Sequence, residues 1–147
     1  MLRYSVGLLC LLLAAPDVTR GEVRLPNVLG DHMVIQRGVP VHVWGRATPG
    51  ESVTVELRGQ SRVSTADEIG RWSVYLPPLE AGGPYEITVQ GKNKLVLRDV
   101  LVGDVWVASG QSNMEFPLDK VKDGAAESAA AKYPRLRLYH VHNKSAD

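Results

Sequence analysis

Cysteine is almost missing from this 147-residue sequence, and its one cysteine, Cys10, lies inside an apolar run near the N-terminus. Once that run is removed, the chain can form no disulfide, hold no thiolate-bound metal and use no thiol nucleophile. Lipidation at Cys10 is not expected either, because Leu9 rather than a small residue precedes it and the residue falls within the apolar run. Charge of one sign is also lacking. The chain has 17 basic and 16 acidic residues, and removing residues 1–21 takes away Arg3, Arg20 and Asp17, which leaves 15 of each. A balanced chain exerts no electrostatic pull on nucleic acid or anionic membranes, so neither is expected as a partner. Long hydrophobic runs are absent too. Val6 to Ala15 is apolar apart from Gly7, but it is far shorter than the roughly 20 residues a spanning helix needs.

What the N-terminus does contain is the pattern of a signal peptide. Arg3 supplies a positive start, Val6–Ala15 the apolar centre, and Ala14, Ala15 and Gly21 the small residues of a cleavage region. Cleavage near Gly21 is favoured, since Pro16 would directly follow a cut at Ala15. The expectation is an exported chain whose residues 1–21 are a leader and which has no membrane span after cleavage.

From residue 22 to 102 the chain alternates in the manner of short, half-buried strands. Val41 and Val43 alternate with His42 and Trp44; Val53, Val55 and Leu57 with Thr54, Glu56 and Arg58; and Trp72, Val74 and Leu76 with Ser73 and Tyr75. Ile87 and Val89 repeat the pattern, and Leu95–Val100 follows. Ala47–Gly50, Gly59-Gln60, Asp67–Gly70 and Gly91–Asn93 supply the turns. Strands this short and this evenly spaced predict a sandwich-like β domain. A domain of about 80 residues can bury only a modest core, so a neighbouring domain is expected to support it.

At residue 103 the pattern changes. Val105–Ala108 reads as a strand buried on both faces, Ser109–Met114 as a tight polar turn, and Asp119–Lys132 as a helix whose Ala-rich half restarts near Asp123 and Gly124. Pro134 ends it, and Leu136, Leu138 and Val141 read as a second strand. Strand, turn, helix and strand make the opening unit of an α/β sheet. One such unit cannot cover both faces of its strands, so residues 103–147 are expected to be an incomplete domain.

A serine in a sharp turn between a buried strand and a helix presents its hydroxyl at the sheet's edge, where backbone N–H groups can hold an oxyanion. Ser112 has that setting, and Gly110 permits the tight backbone. From the residues alone, Ser112 remains equally readable as an ordinary turn-former or helix cap.

The stretch Gly103-Asp104-Val105-Trp106-Val107-Ala108-Ser109-Gly110-Gln111-Ser112-Asn113-Met114 resembles the nucleophile block of sialate O-acetylesterases, within the wider SGNH hydrolase group. Asn27–Gln36, Val43-Trp44-Gly45, Thr48-Pro49-Gly50 and Gly70-Arg71-Trp72 resemble the β region that precedes that block. The resemblance implies a β-rich N-terminal region beside a flavodoxin-like α/β domain. It implies Ser112 as nucleophile, with Gly110, Gln111 and Asn113 shaping the turn and the oxyanion site. The implied reaction is hydrolysis of O-acetyl esters on sialic acid or a related sugar, with no metal or organic cofactor. Gln111 stands where the common block of the group carries an acidic residue, which favours the acetylesterase branch. The acid–histidine pair and the later glycine and asparagine blocks have no counterpart in these residues, so the chain is expected to be inactive alone. Two alternatives stay open: a stand-alone carbohydrate-binding or interaction β-module, and an acetylesterase for another acetylated polysaccharide. Oligomeric state is left open.

Other residues carry blander readings. His140 and His142 would share a strand face, a spacing that suits a metal pair but lacks a third ligand. Asp31-His32 is expected to shape a turn or line a domain interface, and Asp104 to brace the nucleophile turn or cap a strand. Trp44, Trp72 and Trp106 are all read as core. Asn143-Lys144-Ser145 fits a glycosylation acceptor, a short pattern of little weight.

Overall fold

The computed structural model of the protein describes residues 22–141; the leader, His142 and Asn143–Ser145 lie outside the described residues. Seven strands form two sheets. In chain order they are β1 (Val34–Gln36), β2 (Val41–Arg46), β3 (Ser52–Leu57), β4 (Gln60–Thr65), β5 (Arg71–Leu76), β6 (Gly82–Gln90) and β7 (Lys94–Gly103). One sheet has the order β1-β7-β6-β3-β4 and the other pairs β2 with β5. All pairs are antiparallel except β1 with β7.

The alternation seen in the sequence is what builds the core. Val41 and Val43, Val53, Val55 and Leu57, Trp72, Val74 and Leu76, and Ile87 and Val89 are all buried. Both sheets contribute them to one hydrophobic cluster, because successive side chains of a strand point to opposite faces and only one face is apolar. Turn chemistry follows the sequence as well. Arg58 and Gly59 both have positive φ, the requirement of a two-residue hairpin connection. Two strands escape the sequence reading. The hairpin return β4 carries no buried residue, so it has no apolar signal. β1 is three residues long and half-buried.

Strand β7 breaks its alternation once. Its buried residues are Leu97, Val100 and Val102, and Ile87 pairs with Leu97 while Tyr85 pairs with Val100. Three steps on β7 against two on β6 make a β-bulge, with Asp99 in the left-handed region at φ 53°. The Asp31-His32 turn docks on this bulge. Arg98 N donates to Asp31 Oδ1 at 2.7 Å, and His32 N donates to the Arg98 carbonyl at 2.9 Å.

Glu51, buried at the start of β3, ties two turns together. Its Oε1 accepts from Lys92 N at 2.7 Å and its Oε2 from Thr48 N at 3.0 Å. Beside it, Asn93 Oδ1 accepts from Val23 N at 2.7 Å and its Nδ2 donates to the Val23 carbonyl, closing the N-terminal segment onto the β6–β7 turn.

Gly45 explains one piece of the Val43-Trp44-Gly45 motif. Arg24 and Arg46 exchange a bridge on the outer side of β2, and a Cβ at position 45 would stand 2.2 Å from the Arg24 carbonyl oxygen. Gly45→Ala should therefore detach the Arg24 segment and destabilise the domain by about 2 kcal/mol, from the overlap and the lost bridge. A urea melt of the two proteins measures it; an unchanged midpoint would show that the close approach carries no constraint.

After β7 the regular structure thins, and several expectations are corrected. Residues 105–111 form no strand. Val105, Trp106 and Val107 are exposed, Trp106 at 88% and Val107 at 92%, so Trp106 is not a core residue. A strand needs a hydrogen-bonding neighbour, and among the described residues β1 ends its pairing at Gln36 opposite Gly103. The expected single helix is broken. A four-residue helix α1 spans Ser112–Glu115, a 3-10 turn covers Leu118–Lys120, and α2 runs Gly124–Ala130. The restart at Asp123-Gly124 is where the sequence suggested it, with Asp123 at φ 61°. Leu136, Leu138 and Val141 are exposed and form no second strand. Trp44 is likewise outside the core: Val41 and Val43 take the inward phase of β2, which turns His42 and Trp44 outward. Trp72 is buried as expected.

Candidate active site

The segment bearing Ser112 leaves the sandwich at the C-terminal end of β7, and the end of β1 fixes its departure. Arg37 N donates to the Gly103 carbonyl at 2.9 Å, Arg37 Nε to Asp104 Oδ1 at 2.8 Å, and Val105 N to Gln36 Oε1 at 2.8 Å. Asp104 thus binds Arg37 rather than the Ser112 turn. Both partners of that ion pair are half-exposed, so it adds little stability; its effect is to set the chain's direction. Arg37 carried no signal in the sequence, since a lone arginine after a short strand has no periodic or motif context.

Ser112 is the first residue of α1, with Gln111 at the N-cap in a non-helical conformation (φ −106°, ψ −148°). Gln111 makes no side-chain cap bond, and its carbonyl accepts from Met114 N at 2.9 Å. At Gly110 a Cβ would meet Met114 Cβ at 3.4 Å, an ordinary contact, so the space around it does not demand glycine. Gly110, Gln111, Ser112 and Asn113 are all exposed and contiguous. No side-chain hydrogen bond to Ser112 is formed among the described residues. Local structure therefore gives this serine an accessible hydroxyl at the first turn of a helix, without a base in contact.

A second polar cluster ties the segment after α2 to the sandwich. Asp99 Oδ2 is 2.7 Å from His32 Nδ1 and 2.9 Å from Arg137 Nη2. With the carboxylate ionised, both nitrogens donate. Hydrogen bonding from His32 holds the Asp99 carboxyl below its ordinary value; partial burial opposes this and the Arg137 guanidinium reinforces it. Arg137 also donates to the Pro134 carbonyl. Asp31-His32 thus shapes a turn, as expected, and in addition meets a residue of the later segment. His140 is exposed, and among the described residues no group of three or more His, Cys, Asp or Glu is arranged to hold a metal. No helix among them is long and apolar enough to cross a membrane.

The fold of this chain is similar to that of a solved carbohydrate acetylesterase from Xanthomonas citri. That structure matches 76% of this chain with a TM-score of 0.74 and 46% identity, and the match covers 26% of its own length. No family model matches the chain. In sequence, the chain is a homologue of sialate O-acetylesterases, as the resemblance implied. It is 34% identical to the mouse protein and 35% identical to the human one, each over 92% of this chain. The chain spans under a third of the length of these curated relatives, 28% and 29% respectively.

Proposed function

We propose that this chain carries the nucleophile of a carbohydrate O-acetylesterase, and that Ser112 is that nucleophile. The observation that supports the reading best is the position of Ser112: exposed, at the first turn of α1, in a block that the sandwich holds through Gln36 and Arg37. In this reading Ser112 Oγ attacks the acetyl carbonyl as its proton passes to a base. The N–H of Ser112 steadies the oxyanion, and the sugar oxygen leaves with that proton. Water then attacks the acetyl-enzyme and acetate departs. An ester has a usable leaving group, so the scheme needs no metal or organic cofactor.

Serine is a weak nucleophile at neutral pH without an adjacent base. The base in this scheme is an acid–histidine pair that residues 22–141 do not bring to Ser112. Residues 103–147 serve as the opening part of the α/β domain, and the exposed Val105–Val107 and Leu136–Leu138 stretches suit strands that pair within a larger sheet. Residues 1–21 act as an export leader. The substrate is an O-acetylated sugar, sialic acid or a related polysaccharide unit.

A serine-reactive phosphonate tests the pairing of nucleophile and base. In an active acetylesterase containing residues 1–147, mass spectrometry should find the adduct on Ser112. The 147-residue chain alone should label no faster than a free serine peptide. Adduct on another residue of the active enzyme would refute the assignment, and rapid labelling of the isolated chain would refute the need for an outside base.

A further inference from the structure

We infer that the outer face of the β2–β5 sheet is a second sugar-binding site, selective for rings that bear a carboxylate. The face is a ladder with three rungs. Tyr75 lies opposite His42, Ser73 opposite Trp44, and Arg71 opposite Arg46. Arg24 is bridged to Arg46 on the other side, so three arginines stand in one row across neighbouring strands. Directly opposed residues share a face, and like charges placed so are destabilising. None of the three has an ion-pair partner among the described residues. Asp67, the acidic residue lining this groove, turns its Oδ1 to the Ile69 and Arg71 backbone N–H groups at 3.0 and 2.7 Å and offsets one of the three charges, which leaves a surplus of two positive charges. A bound anion is what such a row lacks, and guanidinium forks match a carboxylate.

The aromatic rungs supply the rest. His42 stacks between Trp44, with centroids 4.7 Å apart, and Tyr75, at 4.3 Å. The stack braces the Trp44 ring on its His42 side, and Arg46 follows two positions on along the same face of β2. Such a pre-set ring offers an apolar platform at low entropic cost. Arg46 is steadied as well, with Nη1 donating to the Ile69 carbonyl at 3.0 Å. Ser64, Thr65 and Ser73 add hydroxyls along the groove, whose volume is about 730 Å³, within the usual range for small-ligand sites of roughly 300–1,000 Å³. Apolar ring face, hydroxyl partners and a cationic end together describe a sugar ring carrying a carboxylate. The homology to carbohydrate acetylesterases puts such rings in this protein's reach. No lining residue comes from residues 103–141, so this site is separate from Ser112 and stands or falls without it.

The test is an NMR titration of the full 147-residue chain with sialyllactose, trigalacturonate and lactose. The first two carry a carboxylate on different sugars; lactose carries none. Saturable shifts are expected at the Trp44 indole N–H and at the amides of Arg46, Arg71 and Ser73 with at least one acidic sugar. The one that binds more tightly names the source of the carboxylated ring. Lactose should bind at least about tenfold more weakly, the loss of one charge-assisted hydrogen bond. Arg71→Gln and Trp44→Ala should each weaken acidic-sugar binding by about tenfold or more, while Ser112→Ala should leave it unchanged. Thermal melts establish that each variant is folded, and Arg46→Gln replaces Trp44→Ala if the latter is not. Absence of saturable shifts with both acidic sugars would overturn the inference. So would lactose binding equally well, or folded Arg71→Gln and Arg46→Gln variants that bind like the parent.

Discussion

Replacing Ser112 by alanine, in an active acetylesterase containing residues 1–147, should lower acetate release from an O-acetylated sugar by about 10⁶-fold. The size follows from the proposed chemistry. Removing the attacking oxygen also removes the proton that the base would take, so the two losses arrive together rather than in part. What would survive is the contribution of the oxyanion site and of substrate binding. Asn113→Ala should cost far less, since Asn113 is exposed in the turn and makes no side-chain hydrogen bond among the described residues. Turnover of a small acetyl ester and of the acetylated sugar, measured on folded protein, decides the matter. Retention of more than about a tenth of the parent activity by Ser112→Ala would remove Ser112 from the mechanism.

Glu51 should govern the acid stability of the sandwich. Burial pushes its carboxyl up, but bonds from the Lys92 and Thr48 backbone N–H groups, the Thr48 side chain and the nearby Lys92 charge outweigh that, and the net direction is down. A carboxyl with a folded-state value below its unfolded one binds fewer protons when folded. Its stabilisation is therefore complete above the unfolded value, near 4.5, and is lost as pH falls through the lower folded value. Glu51→Ala should destabilise the domain by about 2–3 kcal/mol, because two part-buried backbone donors lose a charged acceptor together. For a domain of this size that is a fall in Tm of roughly 8–24 °C. Glu51→Gln should fall between, keeping one acceptor oxygen and no charge. The gap between parent and Glu51→Gln should narrow from pH 7 to pH 3, and a constant gap would show that ionisation of Glu51 contributes nothing.

Much of the sandwich was legible because burial and period coincide. Val53, Val55 and Leu57 are apolar, alternate, and are all buried. The same rule, followed to its end, places Trp44 and Tyr75 outward; weighing tryptophan by its apolarity rather than by its phase led to the opposite reading. Trp106 misled for a different reason. An apolar run marks a buried strand only where other strands stand beside it, and among the described residues none pairs with residues 105–108. The bulge at Asp99 was hidden, since Leu95–Val100 shows a plain apolar run and the extra residue emerges only when β7 is set against β6.

The candidate site divides the same way. Ser112 and its turn stood out in sequence because glycine, serine and asparagine cluster between an apolar run and a helix-forming segment. The clamp by Gln36 and Arg37 did not, because its partners, Val105, Asp104 and Gly103, lie about 67 positions away, and no local pattern reports a contact of that range. The arginine row of positions 24, 46 and 71 is the clearest case. Its members are scattered singly along the chain and become one row only through strand register.

The sequence by itself determined the class of this protein: an alternating β domain, a serine-bearing turn after it, and kinship with sialate O-acetylesterases. Local periodicity and turn chemistry are properties of neighbouring residues, so they can be read without a structure. Only the tertiary structure decided which strands pair, where the bulge falls, how β1 aims the Ser112 segment, and which charged and aromatic side chains share the outer face of β2 and β5. Those facts depend on register, and register is set by packing between residues far apart in the chain, because a slip of one position would turn every buried valine to solvent.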